Sequence, residues 1–344
     1  MKELSIVIPC YNCEKTINRL LDSIIFAGLT RDQYEVIVCN DRSTDGTLDK
    51  IRCYEDKMDI VYCKTTREFH CPGNTRQAAL PYISGEWFTF IDNDDAFEPG
   101  MLKIVMSYIR AKNIEYVLAT NFREYYETTA GRDFLMADAD TWLHGKFFNK
   151  HHILDEFKCH FKDDLFSHED VYFNSMVLAH LISIGKDYVY FPICTYKWMH
   201  NEESLSRSYY REKDFYIEEY LGDYIEGASD PYFDMWKSAN DDNTKMFALN
   251  QIMMTLLHAY FYYEAAVARL GQNNVIDTMY VAIRSLKRRM IEVLNSNYYP
   301  MSDKYITDYI YSLPERYHSI KGKCFAGSNP FVESQSFRDF ILNL

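Results

Sequence analysis

Short apolar runs alternate with helical patterns over the first ~120 residues, and this alternation is the strongest constraint on the fold. "LSIVIP" reads as a buried strand, and "EKTINRLLDSII" follows with helical spacing. "YEVIVCND" is the next strand, and "STDGTLDKIRCYED" opens a helix after a turn. "MDIVYCK" is a third strand, "NTRQAALPYI" a helical segment with a proline near its end, and "EWFTFID" a fourth strand. Continuous apolar strands joined by helices predict a mostly parallel sheet with crossover helices, an α/β fold of Rossmann-like type. Such sheets bind ligands beyond the carboxyl ends of their strands, and three of these ends carry unusual polar chemistry.

Further along, "YVLATNF" reads as a strand and "HEDVYFNSMVLAHLIS" as a helix with a polar start. After Tyr209 the pattern is mainly helical and rich in tyrosine, with breaks at Gly271 and "EVLNSNYYPMSD". This divides the chain into a domain over 1–208 and a helical region over 209–344. With 344 residues and 47% apolar content, a substantial core can form. A net charge of -13 argues against nonspecific binding to nucleic acid or anionic lipid. "MKELSIVIPC" is too short an apolar stretch for a secretory signal. Asn250, Gln251, His258 and Glu264 interrupt the stretch Phe247 to Leu270, which reads as a core or interface helix, not a membrane span. Nine scattered cysteines then fit free thiols in a reducing cytoplasm.

The fourth strand ends in "DNDD". Asp92, Asp94 and Asp95 would repel one another unless a cation or a donor satisfies them. Mg2+ or Mn2+ would give the cluster a purpose, since it joins carboxylates to phosphate oxygens; a solvated turn before Pro99-Gly100 is the alternative. At the second strand end, Asp41 is placed to accept from a base or a ribose hydroxyl, while Ser43 to Thr47 reads as a capped turn. Arg76, after Gly73, could meet a diphosphate, brace the acidic cluster or lie on the surface. Asp170 follows His168 and Glu169 at a helix start, where an N-terminal cap and a catalytic base are both open readings.

As a set, "VIPCYN", "NDRSTDGT", "GNTRQAAL", "FIDNDDAFEPGML", "HGKFFNKHHI" and "SHEDVYFN" resemble the family 2 glycosyltransferases, which share the nucleotide-sugar-binding GT-A fold. The resemblance covers about the first 205 residues. It implies that Pro9 and Tyr11 lie against the nucleobase, that Asp41 contacts base or ribose, and that Arg76 contacts the nucleotide. "DNDD" is similar to the family's DXD element, with Asp94 as metal ligand, Asp92 on nucleotide and Asp95 in support. "HED" places the general base of an inverting transfer on Asp170. "YKWMHNEESLSRS" resembles the segment over the diphosphate, where His200 would ligate metal and Ser204, Ser206 and Arg207 would donate to phosphate. Lys146 is a candidate for acceptor or phosphate, and Trp142 and Trp198 for stacking on a sugar.

The implied protein is a metal-dependent (Mn2+ or Mg2+), inverting transferase, with a nucleotide sugar, chiefly of uridine diphosphate, as donor. Its acceptor is a glycan or a cell-surface polymer. The expected location is the cytoplasm or the inner face of the membrane, with peripheral membrane association and a homo-oligomer both open and nucleic acid excluded. Absence of spans argues against a processive polymerase. A nucleotidyltransferase would need a glycine-rich basic loop after the first strand, which "CYNCEKT" lacks. A non-catalytic sugar-binding module would not need intact "DNDD" and "HED". A thiol oxidoreductase would use Cys10 and Cys13, but these fall where the resemblance places the strand-to-loop turn.

Overall fold

The computed structural model describes residues 2–255 apart from 67–69, 126–129, 135–141, 164, 166, 201–215 and 253; for 130–134 and 216–222 the backbone alone is described. Nine strands form one sheet: β1 (Leu4–Cys10), β2 (Tyr34–Asn40), β3 (Ile60–Lys64), β4 (Trp87–Phe90), β5 (Ala96–Phe97), β6 (Val117–Tyr125), β7 (Ala130–Phe134), β8 (Lys146–Asn149) and β9 (Val189–Met199). Their order is β3-β2-β1-β4-β8-β6-β9-β5, with β7 added on β6.

The parallel half, β3-β2-β1-β4, has the predicted register of a crossover sheet. Every residue of β1 is buried, as a strand covered on both faces requires. Beyond β4 the sheet is mixed: β8 runs antiparallel to β4 and β6, whereas β9 is parallel to β6. The fold class is therefore α/β of GT-A type, with an antiparallel extension that the apolar runs do not announce.

Helices α1 (Ile17–Phe26), α2 (Thr47–Arg52) and α4 (Met101–Lys112) pack with one face of the sheet. On α1, Ile17, Leu20, Leu21 and Ile24 recur at helical spacing and are buried. Truncating one of them, Leu21→Ala for example, would cost roughly 2–5 kcal/mol. The other face carries α3 (Pro72–Ala79) and α5 (Glu169–Ser183). There Phe90 meets Phe161 and Phe173 edge-on, at centroid distances of 5.3 and 5.6 Å, directly beneath the acidic turn that follows β4. Helix α3 begins at Pro72 behind Cys71, whose Sγ accepts from the Asn74 N–H at 3.4 Å.

Two compact units divide the chain: Met1–Leu181 with Gly185–Arg211, and Ile182–Ile184 with Glu212–Leu344. In the second, α6 (Tyr216–Ser238) buries Ile225, Ala228, Tyr232 and Phe233. The helical residues 242–252, labelled α7, bury Ala248, Leu249 and Ile252. Thr255 Oγ1 donates to the Ala228 carbonyl at 3.4 Å, and Tyr232 meets Phe247 at 6.0 Å. Among the described residues no helix is long and apolar enough to cross a membrane. The expected helix to Leu270 lies largely outside them.

Candidate active site

The loops after β1 and β2 are zipped together by side chains that cap backbone N–H groups. Asn12 adopts a left-handed φ of 47°, an arrangement asparagine tolerates better than most residues. Its Oδ1 accepts from the Thr44 N–H at 2.8 Å, and its own N–H donates to Ser43 Oγ at 3.0 Å. Cys13 N–H donates to Thr47 Oγ1, and Glu14 Oε2 accepts from the Gly46 N–H, both at 2.8 Å. Pro9 is the last buried residue but one of β1, and its carbonyl accepts from Asn93 Nδ2 of the acidic turn. Cys10 and Cys13 are both free and buried. Neither thiol is offered to solvent as a disulfide exchanger needs.

Asp41 lies at the mouth of the sheet, almost fully buried. Arg42 turns back on a left-handed φ of 60°, and its Nη2 reaches Asp41 Oδ1 at 3.0 Å. His70 Nδ1 lies 3.0 Å from Asp41 Oδ2, and the His70 ring is 4.9 Å from the exposed ring of Tyr11. A carboxylate flanked by two partly exposed rings suits a planar, N–H-bearing base. Arg42 and His70 are members of this corner that the sequence reading passed over, although Arg42 adjoins Asp41.

Arg76 joins the acidic turn to the "HED" element. It is buried, with Nη2 at 2.5 Å from Asp92 Oδ1 and Nη1 at 2.5 Å from Glu169 Oε1. This contact requires close packing of α3 on α5: a Cβ on Gly73 would lie 2.8 Å from Glu169 Cβ. Burial opposes the Arg76 charge, but Asp92, Glu169 and Asp170 outweigh it and raise its pKa. Burial also raises Asp92, yet the guanidinium beside it holds that carboxyl below its usual range. Arg76 thus braces the acidic cluster, one of the roles its sequence left open.

Asp95 is fully buried and both its oxygens are engaged. Oδ2 accepts from the Tyr196 hydroxyl at 2.5 Å and Oδ1 from the Met199 N–H at 2.8 Å. Burial, then the charges of Asp94 and Asp92, push its carboxyl well above the usual range. The Met199 bond spans 104 residues and ties the end of β9 to the acidic turn. His200 Nδ1 lies 3.4 Å from Glu124 Oε1, and its N–H donates to the Tyr125 carbonyl at 2.6 Å. Asp94 is half-buried, and its carbonyl accepts from Arg19.

Asp94 and His200 offer a carboxylate and an imidazole, the donor chemistry of a divalent-cation site, and His200 Nδ1 faces Glu124. A second group, Asp92, Asp95 and His144, has ligand atoms within 4.8 Å of one another. It suits a cation less well, because Asp92 is tied to Arg76 and Asp95 to two donors. Burial lowers the His144 pKa to about 4, so this imidazole is neutral among Phe122, Trp142 and Tyr196.

Asp170 occupies the first turn of α5, and its Oδ1 accepts from the Val171 N–H at 2.8 Å. Burial, then the neighbouring Glu169 charge, push its carboxyl up to about 7, against the pull of Arg76. The helix start is built on His168 with a left-handed φ of 58°. Lys146 instead points inward: its ammonium donates to the Trp142 carbonyl and lies 5.5 Å from the Tyr188 ring centroid. Trp142 and Trp198 meet edge-on at 5.4 Å. Ser204, Ser206 and Arg207 lie outside the described residues.

The fold is of the GT-A type. Residues 5–167 match the pattern of Glycosyl transferase family 2. The chain is 27% identical over 227 residues to the poly(ribitol-phosphate) beta-N-acetylglucosaminyltransferase TarS of Staphylococcus aureus, covering 63% of this chain and 39% of that protein. It is 28% identical over 229 residues to a poly(ribitol-phosphate) beta-glucosyltransferase of Bacillus spizizenii, covering 62% and 35%. The chain thus matches well under half the length of either relative. Its fold resembles that of S. aureus TarS 1-349 in complex with UDP-GlcNAc, with a TM-score of 0.67 at 18% identity over 97% of this chain and 91% of that one.

Proposed function

We propose that this protein is an inverting glycosyltransferase that moves a sugar from a uridine diphosphate sugar to a hydroxyl of a glycan or cell-surface polymer. The observation that carries this reading is the linkage of the acidic turn, through Arg76, to the helix start bearing Asp170. That linkage supports a leaving-group site beside the acidic turn with Asp170 as the base near it. Pro9, Tyr11 and Asp41 hold the nucleoside, with Asp41 accepting from the base or ribose. Arg76 fixes Asp92 toward the nucleotide, and Asp95 supports the turn from below.

Asp94 and His200 would hold Mn2+ or Mg2+, which supplies charge neutralisation for the leaving diphosphate. Asp170 takes the proton of the acceptor hydroxyl as that oxygen bonds to the anomeric carbon and the bond from carbon to diphosphate oxygen breaks. Its raised pKa, about 7, matches a base working near neutrality. Ser204, Ser206 and Arg207 are assigned to the diphosphate.

The relatives named above act on poly(ribitol-phosphate), which supports a polyol-phosphate polymer as acceptor and glucose or N-acetylglucosamine as the sugar. Residues 1–208 would form the catalytic domain, and 209–344 would bind acceptor or make a homo-oligomer. The setting proposed is the cytoplasm or the inner face of the membrane.

The test is release of uridine diphosphate from UDP-glucose and UDP-N-acetylglucosamine with and without poly(ribitol-phosphate). Acceptor-dependent release that Asp170→Asn lowers by roughly 100-fold or more supports the reading. Release that is indifferent to Asp170 overturns the assignment of the base.

A further inference from the structure

Strand β8 ends at Asn149, opposite Trp87 at the start of β4, so the chain leaves the sheet at the edge away from the acidic turn. There the residues His151–Glu156 form a π-helical turn, with Phe157 N–H donating to the His152 carbonyl at 2.9 Å. An α-helix brings residues three and four apart together on such a face, which pairs His152 with Glu156 but not His151. The wider π turn brings both His151 and His152 onto Glu156. His151 Nε2 lies 3.2 Å from Glu156 Oε1, and His152 Nδ1 lies 2.6 Å from Glu156 Oε2. The three ligand atoms lie within 4.8 Å of one another.

His151 turns its other nitrogen, Nδ1, toward Asp155 Oδ2 at 4.0 Å, beyond hydrogen-bond distance. The His152 ring packs on Tyr116 at 4.5 Å, and Tyr116 lies parallel to Phe157 at 6.1 Å. His151 and Glu156 are 67% and 47% exposed, so an ion can reach the group from solvent.

We propose that His151 Nε2, His152 Nδ1 and the Glu156 carboxylate form a site for a zinc-class transition cation. Two imidazoles and one carboxylate favour zinc, nickel or copper over magnesium or manganese, and three protein ligands leave a fourth position for water. The site is distinct from the Asp94 turn in place and in metal preference, and it does not depend on the transferase reading.

The experiment is titration of the chelator-stripped full chain with Co2+, followed by its visible d–d absorption, and then displacement by Zn2+. It is repeated on Asp94→Ala, on His151→Gln and on His151→Gln/His152→Gln, with circular dichroism to confirm folding. One zinc-displaceable equivalent is expected in wild type and in Asp94→Ala. Affinity should fall by more than about tenfold in the exposed single variant and vanish in the double. An unchanged cobalt spectrum and affinity in the folded double variant would overturn the proposal, as would no zinc-displaceable cobalt in wild type.

Discussion

Arg76 Nη1 meets Glu169 Oε1 at 2.5 Å across 93 residues of chain, while its other arm holds Asp92. One guanidinium thereby ties the acidic turn after β4 to the start of α5, beside Asp170. The planar fork of arginine can hold two carboxylates in fixed geometry, and a lysine ammonium cannot. Arg76→Ala should leave two partly buried carboxylates facing each other and cost roughly 3–5 kcal/mol of stability. Arg76→Lys should recover stability in part without recovering transfer. Urea unfolding of both variants beside the transfer rate checks this.

The pH dependence follows from Asp170. A base must be deprotonated to act, and its pKa is pushed up to about 7, so kcat/KM should fall below that pH by about tenfold per unit. Glu169 contributes to this rise through like charge. Glu169→Gln should therefore move the acid limb to lower pH, while Arg76→Ala, which removes an opposing charge, should move it up. Rate profiles between pH 5 and 9 (about the range a carboxylate base near neutrality requires) distinguish the two directions.

Asn12→Ala removes the acceptor of the Thr44 N–H that ties the two nucleoside loops. One such bond is worth about 1 kcal/mol, so affinity for uridine diphosphate should drop roughly fivefold while the melting temperature changes little. Equilibrium binding measures it.

Tyr196→Phe deletes the hydroxyl that donates to Asp95 and accepts from the Asp92 N–H at 3.3 Å. It leaves a buried carboxyl oxygen short of its donor, at a cost of roughly 1–3 kcal/mol. Because the same turn carries Asp94, manganese affinity should weaken with it. Calorimetry of the ion and of unfolding reports both effects.

The parallel half of the fold is legible in the sequence because β1 and β2 are covered on both faces and so read as unbroken apolar runs. β5 and β8 are short and antiparallel, and their pairings, Ala96 with Lys197 and Trp87 with Asn149, are ones no local pattern records. The same limit applies within the site. "DNDD" and "HED" stand out as motifs, but which carboxylate is anchored and which is offered depends on Tyr196 and Met199 of β9. His70 beside Asp41 is equally silent in sequence, since only the folded loop brings it there. Lys146 in "HGKFF" reads as a candidate for acceptor or phosphate, yet the strand lies between β4 and β6 and turns the side chain inward. The π turn at "HHILDE" has ordinary helical composition, and its extra width appears only in its hydrogen bonds.

Calorimetric titration with uridine diphosphate, with and without manganese, on wild type and Asp94→Ala, tests the central claim most directly. The account predicts binding to wild type that manganese strengthens and that Asp94→Ala abolishes or makes indifferent to the ion. Equal manganese-dependent binding by the two proteins would contradict the role of Asp94, and no binding to wild type under either condition would contradict the uridine nucleotide site.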